Sequence, residues 1–284
     1  MSNLSKKITL FLNDGLPKGI REVTIDQWSG GAVCGPRNKI EEILKFKELH
    51  SPCVYFLIGE PEEGELLNIY VGESDPFNER VKDHLRKKDW WQHVVVFFGS
   101  NNNPSKTGIQ YLESFVYTEL IKAGKCILEN GNKPSLPNIQ KQDIPGLHVF
   151  YENITLIMPV LGFDIFAPEI KVDEVKNSKY IFCSGKGAES KALLLDDGKV
   201  RVLSGSTVVK DNATSFEKHN YKKLKEELLK IGRLKEKGEY LYFTEDYVFD
   251  SLSAAAAVVL ARSAQGPKEW KYENGTTVKD STEK

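Results

Sequence analysis

A chain of 284 residues, 40% hydrophobic and 28% charged, holds one large or two ordinary domains and is too apolar to be disordered. Its formal net charge of −1 excludes a global electrostatic pull toward nucleic acid or membrane, so any anion contact must come from a local cluster. The four cysteines, Cys34, Cys53, Cys126 and Cys183, form no CxxC pair and no histidine stands at zinc spacing, which excludes a metal knuckle and points to reduced thiols.

Met1 to Lys7 lack the apolar core of a signal peptide. The longest apolar run, Ala254 to Ala261, falls far short of the roughly 18–20 residues that cross a bilayer. The expectation is a soluble, cytoplasmic protein.

Taken in order, residues 8–12 and 22–25 read as strands joined by a turn-rich loop, and Ile40, Ile43, Leu44 and Leu49 follow helical spacing behind Asn38 as N-cap. Residues 1–50 form an N-terminal extension, broken at Ser51-Pro52. Val54–Ile58 and Ile69–Val71 read as antiparallel strands, linked by the acidic stretch 59–65, which is placed away from any anionic substrate. Phe77–Lys88 is an amphipathic helix through Val81 and Leu85. Val94–Phe98 is a strand buried on both faces, and 101–105 is loop. Ile109–Ala123 is a helix stopped by Gly124.

This order predicts a mixed α/β (α+β) fold for residues 51–140, with a small three-stranded, mainly antiparallel sheet flanked by helices. Residues 141–178 read as a proline-punctuated linker segment. Residues 179–280 read as a second α+β domain. Its predicted elements are strands at 180–183, 191–195 and 199–203 around Asp196-Asp197-Gly198, and a helix near 216–231. A strand at 240–243, a helix from about Ser253 and a hairpin across Asn274-Gly275 complete it. Residues 1–50 carry 8 basic and 6 acidic side chains, 51–140 carry 9 and 12, and 176–284 carry 20 and 16, so the central part is net acidic and both flanking parts are net basic.

The chemistry concentrates in the central part. Arg80 and His84 stand four apart, on one face of a helix. Lys82, Arg86, Lys87 and Lys88 surround them with only Asp83 opposing, a candidate nucleic-acid-binding patch that each lysine alone would equally explain as a solvated face. A guanidinium fork suits phosphate because its planar donors match two oxygens. Glu113 sits in an otherwise apolar helical stretch, where a carboxylate needs a partner. That partner is a hard cation or Arg80. Tyr55 and Tyr70 alone read as packing residues of strands.

Together, Val54-Tyr55, Tyr70-Val71-Gly72, Arg80, His84 and Glu113 resemble the GIY-YIG nuclease superfamily. In it two tyrosine-bearing strands precede an arginine ten residues past the second tyrosine, a Tyr or His four later, and a metal-binding Glu on a following helix. Arg80 is ten beyond Tyr70, and His84 is four beyond Arg80.

The resemblance covers roughly residues 51–135 and implies an endonuclease that hydrolyses DNA phosphodiesters by attack of activated water, with RNA left open. It implies Mg²⁺ or Mn²⁺ as cofactor, held by Glu113. Arg80 would stabilise charge on the scissile phosphate, and Tyr55 would activate or position the water. Tyr70 and His84 would orient it, with His84 as proton acceptor. Asn130 and Asn132 compete for the family's late asparagine; Asn130 is preferred.

Two positions depart from the pattern. Cys53 replaces the usual opening glycine, and Glu73 stands where several relatives carry lysine, which removes that lysine as a base. Ser204-Gly205-Ser206, the run 249–259, Gln265-Gly266 and Trp270-Lys271 resemble a small uncharacterised domain appended to bacterial nucleases of this class. The lysine-rich stretch Lys218–Lys237, read as helix, is a candidate DNA-docking surface. The rival reading is a catalytically silent nucleic-acid-binding or assembly module on the same fold.

Overall fold

The computed structural model describes residues 5–60, 66–100, 103–166, 180–195, 197–217 and 221–282. These divide into two compact units, one within residues 1–60 and 67–166 and one within 167–284. Residues 61–65 of the acidic link, Asn101-Asn102, residues 167–178 of the linker, Asp196 and Lys218 lie outside the described residues.

The first unit is built on one seven-stranded sheet. Its strands are β1 (Ile8–Leu12), β2 (Arg21–Ile25), β3 (Gly31–Pro36), β4 (Cys53–Gly59), β5 (Leu67–Ser74), β6 (His93–Phe98) and β7 (Cys126–Leu128), in the spatial order β1-β2-β3-β6-β4-β5-β7. All neighbours are antiparallel except β5 and β7. The sheet is therefore larger than the three strands expected. The first fifty residues are not a separate piece: β3 pairs along β6, and β2 and β1 continue outward. The short Gly-Ala-Val-Cys-Gly run of β3 lacks alternation because both its faces are covered, with Ala32 and Cys34 in one core and Val33 in the other.

Period-two alternation sorts β4, β5 and β6 between two cores. Val54, Phe56, Ile58, Ile69, Val71, Val95 and Phe97 face α3 (Lys106–Ala123) and α4 (Ile144–Val160). Cys53, Tyr55, Leu57, Tyr70, Val94 and Val96 face α2 (Phe77–Lys87) through Phe77 and Val81. Both tyrosines thus lie on the α2 side, a phase set by the strands themselves.

Helix α4 occupies the part of the chain expected to be linker. Its Leu147, Phe150, Ile154, Ile157 and Met158 enter the same core as the sheet. Pro145 stands in its first turn, where no N–H is required, while Pro159 in the last turn lacks the N–H that would reach back to Thr155 and stands one residue before the helix ends. The helix expected from Asn38 is broken instead into α1 (Ile40–Ile43) between two 3-10 turns, Arg37–Lys39 and Lys47–His50. Asn38 lies inside the first turn and caps nothing. The extended backbone at Phe46 breaks the spiral, and Ile40, Ile43 and Leu49 all reach one core. Ser105 caps α3 by accepting from the Gly108 N–H, and Gly124 ends it with φ 63°.

The second unit has a five-stranded sheet, β14-β10-β9-β8-β15, and a three-stranded sheet, β11-β13-β12. The strands are β8 (Tyr180–Gly185), β9 (Ala188–Leu194), β10 (Val200–Val202), β11 (Thr207–Val209), β12 (Leu234–Lys237), β13 (Tyr240–Phe243), β14 (Tyr247–Phe249) and β15 (Lys271–Tyr272). Helix α5 (Tyr221–Lys230) ends before Gly232, and residues 234–237 are strand rather than helix. Helix α6 (Leu252–Leu260) is buried through its alanine run, and Ser251 caps it by accepting from the Ala254 N–H. Both units are mixed α+β, and no helix among the described residues is long and apolar enough to cross a membrane. All four cysteines are free and buried.

Candidate active site

The site grows from the register of β4 and β5. Tyr55 stands opposite Gly72, and Leu57 opposite Tyr70. A Cβ on Gly72 would lie 2.3 Å from the Tyr55 hydroxyl oxygen, so the tyrosine ring occupies the space that the glycine leaves open. That is the physical reason for glycine after Tyr70-Val71. Cys53 needs no glycine-like conformation: it is enclosed, and its Sγ donates to the Ser74 carbonyl at 3.4 Å.

Helix α2 brings two groups to the tyrosines. The Tyr55 Oη lies 2.7 Å from His84 Nε2. His84 also meets the Tyr70 ring edge-on at 4.8 Å between centroids, and the two phenol rings are 6.1 Å apart. Arg80 Nη2 donates to the Tyr70 Oη at 3.5 Å. Burial, with the Arg80 and Lys88 charges, pushes the His84 imidazole down to about 4. Burial holds the Tyr55 phenol well above its usual value, although Arg80 opposes this. At neutral pH the phenol therefore keeps its proton and the imidazole is uncharged, so a single proton lies between the Tyr55 oxygen and His84 Nε2.

These groups are layered. Tyr55 has no exposed surface, and Tyr70 and His84 are buried. Outside them opens a polar cleft of about 680 Å³ lined by Arg80, Glu113, Glu73 and Lys106, with Lys82 and Arg86 at its side. Glu113, from the second turn of α3, is pushed up to about 7 by burial and by the nearby Glu73, against the pull of Arg80. Lys106 Nζ holds the Glu73 carboxylate at 2.7 Å.

Lys106 is the cleft residue that sequence reasoning missed. Its signal was a lysine opening a helix directly after the Ser105 cap, where a cation meets the unfavourable end of the helix dipole. Such a lysine needs an anion, and here Glu73 supplies it.

The remaining candidates sort differently. Asn130 does not line the cleft. Its Oδ1 accepts from the Val71 N–H at 3.1 Å and its Nδ2 donates to the Val71 carbonyl at 2.8 Å, a two-bond clamp on the strand that carries Tyr70. In the basic patch, Lys82 pairs with Glu79 at 3.3 Å and Arg86 with Asp83 at 2.5 Å. Lys87 is exposed, and Lys88 places its ammonium 4.6 Å from the Tyr70 ring centroid.

Among the described residues no three His, Cys, Asp or Glu side chains converge as a metal cluster. The donor set nevertheless suits a hard dication. A half-buried carboxylate beside a second one gains from a positive charge, and Mg²⁺ takes one or two protein carboxylates with water and phosphate oxygens filling its shell.

In the second unit, the lysine-rich stretch is not a uniform docking face. Lys225 is buried, with Nζ donating to the Val209 and Lys210 carbonyls and to Asn212 Oδ1 at 2.8–2.9 Å. Lys222 is held by Glu217 at 2.7 Å.

Comparison with known proteins bears on this unit. A family model described as a domain of unknown function (DUF4357) matches residues 181–282. No curated protein and no solved structure matches the chain.

Proposed function

We propose that the chain is a metal-dependent endonuclease of the GIY-YIG type that hydrolyses nucleic-acid phosphodiesters, with DNA as its substrate. The observation that supports this reading best is the convergence of Arg80 and Glu113 on one cleft, with Arg80 bonded behind it to Tyr70, whose ring packs against Tyr55 and His84.

Each side chain has a task the geometry suits. Arg80 presents fixed positive charge to the cleft, where negative charge grows on the scissile phosphate. Its contact to Tyr70 holds the guanidinium in place before substrate arrives. Glu113, which lines the cleft beside Glu73, is the residue that would hold Mg²⁺ or Mn²⁺. The bound ion would supply Lewis-acid polarisation of the phosphate and stabilise the leaving oxyanion.

Tyr55 and His84 lie behind Arg80, joined by the 2.7 Å bond. That bond fixes the phenol, which would position the attacking water once Tyr70 or Arg80 has shifted to admit it. Burial keeps the proton on Tyr55 and off His84, so the water's proton would leave to a phosphate oxygen or to bulk water.

The test is cleavage of plasmid and branched DNA with Mg²⁺ or Mn²⁺ by wild type, Glu113→Ala and Arg80→Ala. The expected result is metal-dependent cutting lost in both variants. Cutting that persists without metal or without Glu113 would overturn the mechanism. Binding with no cutting of any DNA or RNA would favour the silent module.

A further inference from the structure

The outer face of the second unit's larger sheet carries an aromatic pair that the proposed cleavage site does not use. Along β8, Ile181 and Cys183 point into the core at 0% and 1% exposure. Tyr180 and Phe182, on the opposite face, are 44% and 37% exposed. β8 pairs with β9 along its length and with β15 at Ile181 and Phe182, so the strand lies inside the sheet at the ring pair. The register places Phe182 between Lys191 on β9 and Lys271 on β15. Lys191 Nζ stands 3.7 Å from the Tyr180 ring centroid and 5.9 Å from that of Phe182. Both lysines are exposed, and Glu189 of β9 sits opposite Ser184, at the end of the strand away from Tyr180.

From this arrangement we propose that Tyr180 and Phe182 form a stacking platform for unpaired bases, with Lys191 and Lys271 as contacts to the flanking phosphates. Two residues apart on a strand, the rings are spaced by about 6–7 Å, which suits consecutive bases of an extended strand and not the closed stack of a duplex. The occupant follows from charge. Aromatic rings flanked by ammonium groups match a chain of π-faces joined by anions, whereas lysine is depleted from the cores of protein–protein interfaces. The platform rests on the reading of the protein as acting on nucleic acid, and it narrows the substrate to one that presents a single-stranded segment.

The experiment is fluorescence anisotropy of labelled oligo(dT) and of a blunt duplex with the full-length chain in EDTA, so that no cleavage is needed. Tyr180→Ala/Phe182→Ala should weaken oligo(dT) binding by about tenfold or more and leave duplex binding within about twofold. Lys191→Gln should flatten the dependence of log affinity on log salt. Should the alanine pair lower stability by circular dichroism, Lys191→Glu, which keeps both rings, must give the loss in its place.

Unchanged oligo(dT) affinity in a folded Tyr180→Ala/Phe182→Ala protein overturns the platform, as does an equal loss on duplex. Arg80→Ala and Glu113→Ala separate this from the cleavage reading. Oligo(dT) binding that survives in both, in a wild type that cuts nothing, sinks the nuclease and upholds the platform. Cleavage by wild type with indifferent Tyr180 and Phe182 does the reverse.

Discussion

Tyr55 and His84 share a 2.7 Å bond that joins the third residue of β4 to α2, inside a layer closed to solvent. The bond fixes the helix against the sheet at the turn after Arg80, so packing and the proposed chemistry depend on the same pair. Tyr55→Phe leaves the buried imidazole nitrogen without its partner and should cost about 1–3 kcal/mol in urea denaturation. With His84→Phe as the second mutation, the double-mutant cycle should show a coupling of about 1 kcal/mol or more. Additive losses would mean that the two side chains act independently.

Gly72→Ala tests the close approach in the β4–β5 pair. The added methyl falls on the Tyr55 ring, so the ring or the strand must shift, at about 1–3 kcal/mol. Cleavage should fall further than stability accounts for, because Tyr55 moves away from both Arg80 and His84. Full activity with unchanged stability would show that the phenol's position is not critical.

Arg80→Lys should rescue little. A lysine keeps the charge but cannot join the Tyr70 phenol and a phosphate with a planar fork. The expected rate loss is on the order of a hundredfold or more, close to that of Arg80→Ala. Substantial rescue by lysine would reduce the role of Arg80 to a point charge.

Glu113 and His84 give opposite pH signatures. The folded Glu113 carboxyl, at about 7 against an ordinary 4.5, binds its proton more tightly than in the unfolded chain. Its contribution is present below about 4.5 and is lost as pH rises through about 7. In EDTA, Glu113→Gln should therefore match wild type at about pH 4.5 and exceed it by about 1–3 kcal/mol near pH 8. Mn²⁺ should raise the wild-type Tm near pH 8 and leave Glu113→Gln unmoved. His84, held neutral at about 4 against 6.5, contributes stability above about 6.5 that is lost as pH falls through about 4. His84→Gln should remove that acid-side slope.

Lys225→Met should destabilise the second unit by about 2–4 kcal/mol, because three oxygens lose one donor in a buried setting. Its nucleic-acid affinity should be unaffected once folding is restored at low temperature. An affinity loss without a stability loss would return Lys225 to a docking role.

What the sequence disclosed were the local features. The phase of Tyr55 and Tyr70 follows from alternation within each strand, and Arg80 and His84 share a helix face through their spacing alone. Gly124 and Ser251 are visible as a helix stop and a cap by the same local rules. What escaped depends on distant partners. β3 is defined by β6, some sixty residues away, and its apolar run has no polar face to mark the period. α4 hides behind Pro145, which a first turn tolerates, and Pro159, which stands one residue before the helix ends. Lys106 enters the cleft through Glu73, which is 33 residues earlier, and nothing local announces the pair. Lys225 looked like one more solvated lysine because its acceptors are carbonyls, which no sequence pattern records.

The continuity of the first unit's sheet has a practical meaning for anyone dividing this protein. A fragment of residues 51–140, the natural cut by motif alone, would strip β3 from β6 and leave six ladder positions of an apolar central strand without a neighbour. It would also remove α4 and uncover Phe56, Val95 and Phe97. Such a piece would be a template for self-association rather than a minimal catalyst. The smallest unit to express on its own runs from the first strand to Phe166, and screening of catalytic variants belongs on that span or on the whole chain.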